Sequence, residues 1–172
     1  MKIFAETERL IIREIDGQDL QSMFLLHSDP EVHTFLEAPI VNIQQASDII
    51  DFIREQYVSF GIGRWAVVDK VSGDFLGWSG LKFITDMVND HIDYYDLGYR
   101  FLKRHWGNGY ATEAALASLN YGFQQMKLKE IYAIADSRNV NSSKVLKKVG
   151  FKAIEVFEYS GCQHDWFKVS KK

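Results

Sequence analysis

Two glycines one residue apart, Gly107 and Gly109, stand in the stretch RHWGNGYATEA, residues 104–114, between the apolar run LGYRF and a helix-like run. Strand, Gly-x-Gly, helix is an arrangement that presents an anion site. Glycine lets the main chain approach a ligand closely, and the unpaired N–H groups and dipole of a helix start favour phosphate. The dinucleotide pattern Gly-x-Gly-x-x-Gly/Ala fails here, because Thr112 stands at its third position. The acid that pattern needs about 20 residues on falls near Glu130, at the start of a strand instead of its end. The phosphate loop Gly-x-x-x-x-Gly-Lys-Ser/Thr and the zinc motif His-Glu-x-x-His are absent. GWSGL, residues 77–81, lacks the last glycine of a nucleophile elbow, and no helix follows it. Asp86, Asp90, Asp93 and Asp96 lack calcium-loop spacing and read as a solvated acidic segment, not a metal site. Cys162 has His164 nearby but no third orienting group for a catalytic pair. Taken alone, the glycine turn reads equally as plain turn chemistry.

The elements around the loop follow from periodicity. RLIIREI (9–15) reads as a strand ended by Asp16 and Gly17. DLQSMFLLH reads as a helix with Leu20, Phe24 and His27 on one stripe and Asp19 as N-cap; SDPEVHTFL reads as a second short helix with Pro30 in its first turn. QQASDIIDFIREQYVSF is helical and stops at Gly61 and Gly63. RWAVVDK and DFLGWSGLKFI form a hairpin around KVSGD, and DLGYRFL is the next strand after an acidic connection. ATEAALASLNYGFQQM is a helix whose core stripe is Leu116, Leu119, Phe123 and Met126. EIYAIAD is a strand, NSSKVLKKVG a short helix ended by Gly150, and FKAIEVFEY and HDWFKVS are the last strands. This order predicts an α+β fold, a mixed α/β sandwich on one sheet, rather than a regular βαβ repeat.

Composition bounds the function. The 172 residues fit a single domain, 1–172, and 47% hydrophobic with 25% charged residues describe a globular chain. A net charge of −3 argues against nucleic acid as a partner. The lone cysteine excludes an internal disulfide and points to a reducing, cytoplasmic setting. The N-terminus MKIFAETERLIIREID is too charged for a signal peptide, and no apolar run approaches the ~18 residues of a membrane span.

The loop R104-H-W-G107-N-G109-Y-A111 resembles the Arg/Gln-x-x-Gly-x-Gly/Ala loop of the GNAT N-acetyltransferases. The similarity continues through TERLIIREI, SDPEVHTFL, WAVVDKVSGDFLGWSGL, DLGYRFLKRHWGNGYATEA and the block N139-V-N-S142-SKVLKKVGF. In order and over nearly the whole chain, these resemble the branch that holds the ribosomal-protein N-terminal acetyltransferases (RimJ/RimL-like). The resemblance implies a GNAT-like fold: a mostly antiparallel central sheet, splayed between its fourth and fifth core strands, DLGYRF and EIYAIAD, with helices on both faces. It implies acetyl-CoA as cosubstrate and no metal. Its pantetheine would lie in the splay and pair with the main chain of Tyr99, Arg100 and Phe101, as an added strand does. The amides from Arg104 through Gly107, Asn108, Gly109 and Tyr110 to Ala111 would hold the pyrophosphate. Asn139 matches the asparagine that reaches the pantetheine, and Ser142 the residue near the thioester sulfur. Other readings stay open for three of these residues. Asn139 and Ser142 both read as helix caps, and Arg104 as a solvated loop arginine.

Acetyl transfer to an amine needs a neutral amine, a polarised carbonyl and a protonated sulfur. An α-amine, with a reference pKa of about 7.7–8.0, asks less of a base than a lysine near 10.4. Asp96, at the start of the cofactor strand, matches an acid many relatives carry and reads as a base acting through water, or as a strand-end acid in solvent. The tyrosine acid that many GNAT enzymes carry one turn into the last helix is replaced by Leu146, which leaves Ser142 to fill that role. The expected partner is an amine acceptor, first the α-amine of a protein N-terminus. A small polycationic amine (a polyamine or an aminoglycoside) is the second acceptor, drawn by the four aspartates. A CoA-binding module without turnover is the rival from another class, and a homodimer is left open.

Overall fold

The computed structural model describes residues 1–172. Eight strands are present: β1 (Ile3–Glu6), β2 (Leu10–Arg13), β3 (Arg64–Asp69), β4 (Phe75–Ile84), β5 (Tyr94–Phe101), β6 (Glu130–Asp136), β7 (Lys152–Tyr159) and β8 (Cys162–Ser170). They form one sheet in the order β1-β2-β3-β4-β5-β6-β8-β7. Every neighbouring pair is antiparallel except β5 and β6, which run parallel and register at one position only, Asp96 opposite Tyr132. Four helices complete the fold: α1 (Leu20–Ser28), α2 (Ile43–Phe60), α3 (Tyr110–Asn120) and α4 (Val140–Lys148). No helix is long and apolar enough to cross a membrane. This is the GNAT arrangement expected from the resemblance.

The two-residue period of β3 sets the layers. Ala66 and Val68 face a cluster with Met23 and Leu26 of α1 and Ile50 and Ile53 of α2. Trp65 and Val67 face the opposite cluster, with Ala114, Ala115 and Leu119 of α3 and Leu146 of α4. A sheet covered on both sides buries whole strands, which is why β3 and β4 read as nearly unbroken apolar runs.

Local chemistry fixes the ends. Asn42 and Gln45 cap α2 reciprocally, and Gly61, at φ 68°, ends it. Gly150 behaves as expected after α4. Phe151 N–H bonds Leu146 O and Gly150 N–H bonds Lys147 O, the paired bonds of a Schellman turn.

Three expectations are corrected, and one strand is added. β1 had no sequence assignment; it is four residues long and half exposed. SDPEVHTFL forms no second helix. Asp29, before Pro30, is extended and ends α1, as residues before proline prefer. Asp19 does not cap α1; its carboxylate takes a bidentate pair from Arg13 at 2.8 Å and accepts Asp16 N–H at 3.1 Å, the return bond of a capping box in which Asp16 caps the short turn before α1. On α3 the buried residues are Ala114, Ala115, Ser118 and Leu119, while Leu116 is half exposed. Small residues there let the helix lie close against β4 and β5.

Candidate active site

Past Asp96 and Tyr132, β5 and β6 part, and the β5 edge toward Phe101 is left without a strand partner. Which peptide groups face that gap follows from the ladder with β4. Leu102 N–H donates to Leu76 O, so that pair is hydrogen-bonded. Bonded pairs alternate in an antiparallel ladder, so the Trp78–Arg100 pair is bonded too. The peptide groups of Arg100 therefore turn to β4, whereas those of Tyr99 and Phe101 turn to the gap. This removes Arg100 from the three main-chain positions expected to pair with pantetheine. Phe101 O already accepts the Trp106 indole N–H at 2.8 Å, which leaves its N–H free to pair.

The glycine loop lies at the end of β5. Gly107 and Gly109 hold φ of 76° and 79°, a conformation that L side chains rarely adopt. A side chain at Gly107 would enter open space. The helix behind them, α3, begins with no side-chain cap; its first internal bond runs from Glu113 N–H to Gly109 O. The N–H groups of Tyr110, Ala111 and Thr112 thus have no partner in the helix and point out of its positive end. Asn108 stiffens the loop by donating to the carbonyls of His105 and Trp106 at 3.1 Å. Arg104 is exposed, and its side chain hydrogen-bonds His105 Nε2 at 3.1 Å.

Arg9 was not singled out in the sequence, and it organises this corner. It donates to Asn108 O at 2.9 Å, pairs with Glu113 at 2.6 Å and stacks 4.6 Å over the Tyr110 ring. Burial pushes the Glu113 carboxyl up, but hydrogen bonds from Thr7 and Arg9 outweigh it and hold the group below its ordinary value. No local motif marks Arg9, because its partners lie about a hundred residues away.

Across the gap, Asn139 caps α4 by accepting Ser142 N–H at 3.1 Å, so the cap reading of Asn139 is realised. The Tyr99 hydroxyl reaches Ser142 from β5, 3.0 Å from its carbonyl and 3.1 Å from Oγ. Burial pushes the Tyr99 phenol up to about 12, with the Ser142 hydrogen bond opposing. Leu146 sits in the core.

Asp96 is not a solvated strand end. It is buried at the vertex of the gap, with Arg64 Nη2 2.5 Å from its Oδ2. Arg64 also donates to the carbonyls of Gly80 and Asp96. Gly98 makes room for this: a Cβ there would stand 2.6 Å from the guanidinium carbon. Burial raises the Asp96 carboxyl, and the neighbouring Arg64 opposes that rise. The other three acids, Asp86, Asp90 and Asp93, are exposed, so the four do not form one cluster.

On the α1 side of β5, the Arg100 side chain pairs with Glu37 at 2.9 Å, meets His27 Nδ1 at 3.0 Å and stacks on Trp78. Burial, with Arg100 alongside, pushes His27 down to about 3. Residues 29–41 touch both banks of the gap, through Glu37 to Arg100 on β5 and through Phe35, beneath the Arg138 guanidinium, beyond β6. A surface hollow of about 1210 Å³ lies outside α3 among Phe4, Leu116, Phe123 and Ile154. It contains neither the glycine loop nor Ser142, so the candidate site rests on the free peptide groups and not on that hollow.

Residues 9–152 match the family described as acetyltransferase (GNAT) domain. The uncharacterised protein YkkB of Bacillus subtilis (strain 168) is 33% identical over 145 residues, 84% of this chain and 82% of that protein. RimL, a ribosomal L7/L12 alpha-N-protein acetyltransferase solved with coenzyme A, shares the fold at a TM-score of 0.83 and 12% identity, covering 98% of each chain. Spermidine N-acetyltransferase of Vibrio cholerae, solved with CoA and spermine, does so at 0.76 and 16%, over 95% of this chain and 96% of that one. With a family match across most of its length, parted β5 and β6 strands and an uncapped α3 behind two left-handed glycines, this chain belongs to the GNAT family and is an acetyltransferase.

Proposed function

We propose that the protein moves the acetyl group of acetyl-CoA directly to a primary amine in a ternary complex, and that the acceptor is the α-amine of a protein or peptide N-terminus. The observation that carries the cofactor reading is the uncapped start of α3 at the end of a strand edge left open by β6. The pyrophosphate takes the amides of the loop from Arg104 to Ala111, with Gly107 and Gly109 giving close approach. The pantetheine pairs with the main chain of Tyr99 and Phe101, and Asn139 and Ser142 flank it from α4. Ser142 Oγ serves the leaving sulfur, and Asp96, through water, serves the amine. No metal enters this scheme. An α-amine is partly neutral at pH 7, which suits a site whose acid is tied to Arg64. A small polycation is the second reading, favoured by the exposed Asp86, Asp90 and Asp93 just before β5.

Calorimetry with CoA and acetyl-CoA tests the cofactor site. Gly107→Glu should weaken binding about tenfold or more, because a carboxylate would enter the pyrophosphate path. No heat from wild type at millimolar CoA would reject the reading. Normal binding by the variant would place the anion elsewhere.

A further inference from the structure

In the sequence Tyr99 is a main-chain contact. Its side chain has a second position of interest. The phenol crosses from β5 to the first turn of α4 and meets Ser142 at two atoms, the carbonyl at 3.0 Å and Oγ at 3.1 Å. A phenol carries one hydrogen. Given to the carbonyl, it leaves the Ser142 hydrogen turned toward the phenol oxygen. Given to Oγ, it frees the Ser142 hydrogen for a different acceptor. Asn139 meanwhile fixes the Ser142 peptide N–H, so the backbone of this serine is held while its hydroxyl is steered. Leu146, buried one turn further on, offers no hydroxyl of its own.

We propose that Tyr99 is a positioning residue that donates to Ser142 Oγ and thereby aims the Ser142 hydrogen at the departing sulfur. This deepens the acetyl-transfer reading and rests on it. In the step concerned, the amine nitrogen bonds to the acetyl carbon. The carbon–sulfur bond breaks, and its electron pair goes to sulfur. Ser142 Oγ–H donates to that sulfur and Tyr99 Oη–H donates to Ser142 Oγ. The sulfur leaves as a thiolate held by the Ser142 hydrogen bond. The amine sheds one proton to water, and the sulfur takes one up from water to become the thiol, so Ser142 keeps its hydrogen. Tyr99 keeps its own hydrogen throughout, because a phenol pushed up to about 12 is a weaker acid than a thiol near 8.5.

Tyr99→Phe keeps the ring and removes the hydroxyl, and Ser142→Ala removes its partner. The double variant completes a cycle. Each single change should lower kcat about tenfold. The double variant should be no slower than Ser142→Ala, and the calorimetric Kd for CoA should stay within about twofold in all three. The thiol of bound CoA, titrated by its ultraviolet thiolate absorbance, should ionise at lower pH on wild type than on either variant. Unchanged kcat in Tyr99→Phe, losses that multiply in the double variant, or a thiol that titrates alike on all forms would overturn the role. Should Tyr99→Phe not fold, Ser142→Ala gives the same thiol comparison alone. A wild type that binds no CoA would instead reject the acetyl-transfer reading itself.

Discussion

At the scale of single residues, His27 shows how a buried group carries a pH signature. Two N–H donors, Trp78 Nε1 at 3.3 Å and Arg100 Nη1 at 3.0 Å, aim at one imidazole. A neutral imidazole has a single acceptor nitrogen, so both cannot be satisfied at once. Protonation would worsen the conflict and bury a charge beside Arg100, which is why the ring is pushed down to about 3. The sign follows from linkage. Between about 6.5 and 3 the unfolded chain binds the His27 proton and the folded chain does not, so stability rises with pH in that window. The contribution is complete above about pH 6.5 and falls away by about 1.4 kcal/mol per unit on acidification. Urea unfolding of His27→Gln and wild type at pH 7 and pH 5 is the measurement. The difference between them should shrink toward pH 5, and a constant difference would remove His27 as the source.

At the scale of elements, what could be read in the chain was local, and what could not was a partner far away in sequence. Gly150 and its Schellman bonds, Gly61 after α2, and the Gly107–Gly109 turn were legible, because a left-handed residue after a helix or strand needs glycine. The helix expected over SDPEVHTFL failed because tertiary contacts, Glu37 to Arg100 and the burial of Val32 and His33, hold a turn-rich path. Asp19 looked like a cap until Arg13 claimed it. The glycine loop was readable, but its brace, Arg9 on Asn108 O and Glu113, was not. That brace predicts a kinetic split. The Arg9–Glu113 pair is partly exposed and worth little to stability, yet it fixes the loop and the first turn of α3. Arg9→Ala should raise KM for acetyl-CoA about three- to tenfold, leave kcat nearly unchanged, and shift Tm by only about 2–4 °C. A fall in kcat at constant KM would mean that Arg9 does something other than brace the loop.

At the scale of the whole molecule, the acceptor is chosen by what surrounds the gap. The sheet opens at Asp96, α3 offers its positive end on one side, and residues 29–41 reach both banks on the other. Four aspartates in the sequence suggested a field that gathers polycations. The fold divides them, since Asp96 is buried against Arg64 and only Asp86, Asp90 and Asp93 face solvent. Three exposed acids with a net molecular charge of −3 make a weak steering field. Arg138 above Phe35 and Arg100 behind Glu37 are each paired with a carboxylate, Asp136 and Glu37, so neither adds net charge at the gap. A peptide amine needs no such field, because it is delivered by contacts along its chain. Rates on a short neutral peptide ending in free Ser or Ala, beside rates on spermidine, separate the two acceptors. The peptide should be the better substrate, and its kcat/KM should change little from low salt to about 0.15 M, where the Debye length is about 8 Å. A steered polycation would lose much of its rate over the same range. Turnover confined to spermidine, halved or worse by Asp90→Asn with Asp93→Asn, would transfer the assignment to the polycation and make those exposed acids its recognition site.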